Sequence, residues 1–171
     1  MSNLSFCVLG SGSSGNCSLL QLDSGRWAMI DAGFSMKQTK KRMKTHHISI
    51  DMVDDLLLTH LDRDHFNPAW CRTIANQNMN VHMHKDHVER ASKIGLSDDC
   101  IVPFENEIDL CGTTVETLQF THDALGTSGF IFNSGSVRIG FATDLGHVTS
   151  KLLDKYVQLD AVIFESNYDP A

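Results

Sequence analysis

The chain has 171 residues, of which 42% are hydrophobic and 20% charged, with a formal net charge of −7. This is enough for one domain with a real core and short for two, and the negative balance argues against a broad basic surface for nucleic acid. No apolar run approaches membrane-spanning length, and the opening MSNLSFCVLG lacks a signal peptide's basic start and long apolar stretch, so a cytoplasmic location is expected. The five cysteines (7, 17, 71, 100, 111) show no C-x-x-C spacing and read as reduced, mostly buried thiols. Nine histidines are the more informative feature.

In chain order, LSFCVLG reads as a strand and GSGSSGN as a loop. CSLLQL and RWAMIDAG follow as two strands around an Asp23-Ser24-Gly25 turn. Ser35 is placed to cap a helix through MKQTKKRMK. VDDLLLTH is a buried strand ending in polar residues, after which Asn67-Pro68 signals a helix over AWCRTIANQ. NVHMH is a short, weakly apolar strand, with Asp86 as the expected cap of HVERASKI and Gly95 closing that helix. EIDLCGTTVETLQFTH and SGFIFNSGSVRIGFATD have the pattern of hairpins, the second turning at Asn133-Ser134-Gly135, and a helix near 149–158 leads to the strand AVIFE. Strands mixed with helices first and tight hairpins later predict an α/β layered sandwich with a mixed sheet.

Gly10-Ser11-Gly12-Ser13-Ser14-Gly15 matches the dinucleotide fingerprint G-x-G-x-x-G, and Asp31 stands a plausible distance beyond. The fingerprint requires a helix next, to hold the pyrophosphate at its N-terminus. A hairpin pattern follows instead, so the loop is read as a tight connection or a phosphate contact through backbone N–H groups and serine hydroxyls.

Two histidine clusters compete as a metal site. VHMHKDH spells H-x-H-x-D-H, whereas LLLTHLDRDHF has Asp62 where the second His would stand. We favour the second, because a buried apolar strand fixes the origin of its polar loop and lets His60, Asp62, Asp64 and His65 converge. In VHMHKDH the histidines are expected at the surface, with Asp86 and His87 at a helix start. LQFTHD and GFATD repeat the layout of LLLTH, an apolar strand, then Thr, then a ligand type, and so add His122 and Asp144.

At LGSGSSGNCSLL, IDAGFS, LLLTHLDRDHFNP, HDALGTSGF, FATDLGHV and ESNYDP the sequence resembles the metallo-β-lactamase-fold hydrolases, and within them the YycJ/WalJ-like group of bacterial nuclease-type proteins. The resemblance implies an αββα sandwich with mixed sheets, a two-metal site and hydrolysis of phosphodiester bonds in DNA or a related nucleic acid, as by an exonuclease. It places His60, Asp62 and His122 on the first metal and Asp64 and His65 on the second. Asp144 bridges them, and Asp64 doubles as the catalytic group that orients the attacking hydroxide. Glu165 or Asp123 are candidates to hold the ligating histidines.

Two features depart from the family pattern. Asp62 exchanges an imidazole for a carboxylate, which moves the expected divalent ions from zinc toward manganese or iron. The family also continues past ESNYD and supplies a late His, so residues 1–171 are expected to be one hydrolase domain lacking its C-terminal part. SMKQTKKRMKTHH, with five Lys/Arg and no acid, is a candidate phosphate-contacting helix. A hydrolase of a small phosphodiester or thioester, and a non-catalytic metal-binding fragment, are the rival readings.

Overall fold

A computed structural model describes residues 4–122, 124–145 and 150–164. The elements are β1 (Ser5–Gly10), β2 (Cys17–Gln21), β3 (Trp27–Ile30), α1 (Met36–Lys44), β4 (Val53–Leu57), α2 (Cys71–Gln77), β5 (Asn80–His84), α3 (Val88–Lys93) and β6 (Ile101–Phe104). There follow β7 (Glu107–Leu110), β8 (Thr113–Phe120), β9 (Thr127–Ser134), β10 (Val137–Ala142), α4 (Ser150–Tyr156) and β11 (Ala161–Phe164). The first six strands form one sheet in sequence order, and the other sheet runs β11-β10-β9-β8-β7. In the first sheet β1, β2 and β3 pair antiparallel, while β3 through β6 are parallel. In the second, only β10 with β11 is parallel.

Period-2 alternation sorts side chains to the two faces of each sheet. Leu20, Ala28, Ile30 and Leu57 of the first sheet meet Ile108, Val115, Phe130, Phe132 and Phe141 of the second in one core cluster. From the opposite face of the first sheet Leu19, Met29, Leu56, Val81 and Met83 pack on Met43, Trp70, Ile74 and Ala91 of the helical layer. On the outer side of the second sheet Tyr156 of α4 packs with Ala142, Leu118 and Phe120. The result is the expected αββα sandwich with mixed sheets. No helix among the described residues is long and apolar enough to cross a membrane.

Local chemistry explains most boundaries. Ser35 and Gln38 form a capping box at the start of α1. Asn67 Oδ1 accepts from Ala69 N at 3.0 Å, and Pro68 opens the turn that leads into α2. The β9–β10 turn lies at Gly135-Ser136, one residue later than expected, with Val137 paired to Ser134 and Gly135 supplying φ 56°. Of the cysteines, Cys17 and Cys100 are buried, Cys7 and Cys71 half-buried and Cys111 exposed, and all five are free thiols.

The segment 80–87 corrects the sequence reading. β5 is an interior strand, hydrogen-bonded to β4 on one side and β6 on the other, and Val81, His82 and Met83 are buried. His82 Nε2 lies 2.8 Å from Asp55 Oδ1, and Asn80 Nδ2 donates to the same oxygen at 3.1 Å. His87 is also buried. Asp86 is not a cap: the ring of His84 accepts from the Asp86 backbone N–H, and α3 has no side-chain cap. A parallel interior strand covered on both faces needs apolar residues only where it meets other apolar groups; at His82 the opposing group is a carboxylate.

Candidate metal centre

The polar loop after β4, the loop after β8 and the end of β10 all reach one rim of the sandwich. The apolar run of β4 continues through Leu58, and Thr59 and His60 follow, both buried. Thr59 O accepts from Ser128 N at 2.9 Å, a backbone bond that ties the start of β9 to the loop from the other sheet. Thr59 Oγ1 at 3.0 Å and Thr127 Oγ1 at 3.3 Å both lie beside His60 Nδ1, which directs Nε2 toward the rim. His65 N and Phe66 N donate to Asp62 O, so residues 62–66 form a tight turn that aims His65 back inward.

Six residues of the expected ligand set are brought to this rim, with differing exposure. His60 and His65 are buried, Asp62, Asp64 and Asp144 intermediate, and His122 exposed. His60, Asp62 and His122 each offer one ligand atom within 4.8 Å of the other two, and so do His60, His65 and Asp144. The rings of His60 and His65 stand 4.1 Å apart between centroids, and those of His60 and His122 5.1 Å. Asp64 belongs to neither group; its Oδ2 is 3.7 Å from His65 Nε2. The expected first set therefore converges as a unit, while the second gathers around His65 and Asp144 with His60 in place of Asp64. Glu165 and Asp123 lie outside the described residues.

The electrostatics of this rim suit divalent cations. Burial, and then the neighbouring His65, lower the His60 pKa and favour the neutral ring that can ligate. Burial also disfavours charge on His65, but the Asp31 and Asp144 carboxylates outweigh it and raise the ring to about 10. Asp144 is in turn lowered, chiefly by its contact with His65, whose Nε2 lies 2.9 Å from Asp144 Oδ2. A proton held between two carboxylates marks a place where a cation is wanted, and clustered imidazole and carboxylate donors match divalent ions of the zinc, manganese and iron series. The residues present fit such ions.

Three residues outside the expected ligand set support the site. Asp31 follows β3 at φ 58°, a left-handed conformation that Asp tolerates, and is 1% exposed. Its Oδ1 accepts from Thr59 N at 2.9 Å and its Oδ2 lies 2.8 Å from His65 Nδ1. WAMID repeats the apolar-strand-then-acid layout, which could have flagged it. Asn16 ends the glycine loop: its N donates to Asp64 O at 2.6 Å, and its Nδ2 sits 2.9 Å from His65 Nε2. No helix follows that loop; β2 begins at Cys17, so the dinucleotide reading is excluded as expected. Gly33 allows the close approach of the β3 and β4 loops, since a Cβ there would lie 1.8 Å from Asp64 O.

The segment VHMHKDH contributes no group of converging ligand atoms among the described residues. One turn further on, however, α3 sends Arg90 to this rim, where its Nη2 lies 3.0 Å from Asp62 Oδ1.

This chain belongs to the metallo-β-lactamase superfamily, whose family model matches residues 10–169. Among curated proteins it is similar to the exodeoxyribonuclease YycJ of Bacillus anthracis, at 26% identity over 170 residues, covering 97% of this chain and 64% of that protein's length. Among solved structures it is similar to Zn²⁺-bound PqqB from Methylobacterium extorquens, with a TM-score of 0.76 at 15% identity over 94% of this chain and 72% of the other. It is also similar to a diphosphatase of the PhnP family, with a TM-score of 0.74 at 15% identity over 94% and 73%. At such identities the structural likenesses concern the fold alone.

Proposed function

We propose that the chain carries the metal-binding core of a phosphodiester hydrolase acting on DNA, as an exonuclease, with two divalent ions at the rim. The observation that carries this reading is the pair of ligand groups sharing His60, one with Asp62 and His122, the other with His65 and Asp144. In this reading His60, Asp62 and His122 would hold one ion and His65 the other, with Asp144 available to both; Asp64, outside both groups, joins the second set on the family resemblance. Divalent ions in such a place supply Lewis acidity toward phosphoryl oxygens and a lowered pKa for water.

The remaining work falls to the chain's own groups. Asp31 Oδ2 accepts a hydrogen bond from His65 Nδ1–H and so leaves Nε2 for ligation. Thr59 and Thr127 fix the ring of His60. Asp64, with its side chain 38% exposed, has access to a water at the rim and is the group placed to orient it and take its proton.

Support for DNA as the substrate comes from the similarity to the B. anthracis exodeoxyribonuclease and from α1. That helix exposes Lys37, Lys40, Lys41 and Lys44, while Met43 packs inward. Arg42 reaches back to Leu9 O at 2.6 Å and lies over the Phe34 ring, fixing the helix to the loops beside the rim. Manganese or iron suits the carboxylate-rich donor set; zinc binds such sites as well.

The test is metal analysis of the purified chain, then cleavage of end-labelled single- and double-stranded DNA with Mn²⁺, Zn²⁺ or Fe²⁺, beside a small chromogenic phosphodiester. Metal-dependent DNA cleavage abolished by Asp64→Ala is expected. Cleavage of the small diester without DNA cleavage would overturn the DNA assignment, and metal binding without either would leave a binding fragment.

A further inference from the structure

Arg90 holds one side of the carboxylate that stands where the family pattern has an imidazole. Its Nη2 lies 3.0 Å from Asp62 Oδ1 and 3.3 Å from Leu61 O. The other oxygen, Asp62 Oδ2, faces His60 Nε2 at 3.8 Å, on the side where His60, Asp62 and His122 converge. Thus the two oxygens are divided: one is engaged by a guanidinium and the other faces the ligand group.

We propose that Arg90 determines metal choice by confining Asp62 to a single ligating oxygen. The inference rests on the metal-site reading above. A free carboxylate can ligate through one oxygen or both, and two-oxygen ligation raises the coordination number, which suits larger, oxygen-preferring ions. A carboxylate restricted to one oxygen mimics the single donor atom of an imidazole and keeps the site near the four-coordinate geometry of zinc. The Arg90–Asp62 pair therefore offsets both consequences of replacing His by Asp, the extra donor atom and the extra negative charge. Arg90 touches no ion in this arrangement, so it is a positioning residue.

Charge and geometry can be separated because Zn²⁺ and Mn²⁺ carry the same charge. Removing the guanidinium relieves repulsion on both ions alike, whereas only denticity distinguishes them. The readout is the ratio of Zn²⁺ to Mn²⁺ affinities of the metal-free protein, by chelator competition, for the natural chain and Arg90→Gln, each with Asp or with Asp62→His. Arg90→Gln is expected to move the ratio toward Mn²⁺ by about tenfold, the lower end of the usual effect of a residue that orients a ligand. In the Asp62→His background, where the ligand has one donor atom to offer, the ratio should stay within about twofold. An unmoved ratio in the natural background, or a move toward Zn²⁺, overturns the proposal, as does an equal shift in both backgrounds. Binding of neither metal by the natural chain overturns the metal-site reading itself, which distinguishes the two failures.

Discussion

Asp31 Oδ2 and His65 Nδ1 lie 2.8 Å apart, each side chain only 1% exposed. Such a pair fixes both the tautomer and the orientation of the ring, leaving Nε2 directed at the rim beside Asp144. Asp31→Asn is the informative change, because Asn also accepts the left-handed backbone at φ 58°. We expect divalent-ion affinity to fall by roughly 10–100-fold, measured by chelator competition, with the chain still folded by circular dichroism. Unchanged affinity would remove Asp31 from the support of the metal centre.

Gly33→Ala tests the packing of the ligand loop from the other side. Its Cβ would meet Asp64 O at 1.8 Å and Asn16 N at 2.7 Å, both backbone atoms that no rotamer change can move aside. Overpacking of this kind costs about 1–3 kcal/mol, and here it displaces Asp64 itself. The thermal midpoint and the metal content per chain should fall together. A variant that loses stability yet keeps full metal content would mean that residues 62–65 move as a rigid unit.

His82→Ala and His84→Ala should behave oppositely, although they sit two residues apart in one strand. His82 and Asp55 form a buried pair, and removing the imidazole strands the Asp55 carboxylate, a loss of about 3–5 kcal/mol. His84 contributes an edge-to-face contact with Phe104 at 6.0 Å, and its loss should cost about 0.5–1.5 kcal/mol. Neither variant should lose metal. Denaturant titration and metal analysis together check this; metal loss in His84→Ala would restore VHMHKDH as a ligand motif.

The same pair sets an acid limit. Burial raises the Asp55 pKa, but hydrogen bonds from His82 and Asn80 outweigh it and leave the carboxyl lowered. A lowered acid contributes stability above its unfolded value of about 4 and loses that contribution as the pH falls through the folded value. The stability gap between the natural chain and Asp55→Asn should therefore be widest above about pH 4 and close below it. A gap that stays the same from neutral pH down to about pH 2–3 would show that the Asp55 carboxyl has the same pKa in the folded and the unfolded chain.

Lys40→Gln with Lys44→Gln addresses the basic helix. Both side chains are exposed on α1, and neither lysine belongs to a ligand group. Each phosphate contact contributes roughly 0.9 to the slope of log affinity against log salt for duplex DNA. If both lysines contact phosphates, the slope should become shallower by about 2 while metal content is unchanged. An identical slope would assign the helix to solvent.

The order of elements, an α/β layered sandwich with a mixed sheet and the polar loop after β4 were legible from local pattern in the chain, while the αββα arrangement was implied by the family resemblance. Period-2 alternation, Asn67-Pro68, Ser35 and the glycine turns are local signals, and local signals act over a few residues. The recurrence of Thr59-His60, Thr121-His122 and Thr143-Asp144 after apolar strands was legible for the same reason: alternation fixes which end and face of a strand a side chain occupies. What the tertiary structure alone decided is pairing across long separations. Asp31 with His65, Asn16 with Asp64, Asp55 with His82 and Arg90 with Asp62 join residues 27 to 48 positions apart. No periodicity encodes such pairs, because the geometry that makes them arises only when β3, β4 and β5 lie side by side in one sheet. For that reason the buried imidazole of His82 resembled a surface residue in the sequence, and it is Arg90 of α3, one turn beyond the fuller histidine motif, that reaches the rim.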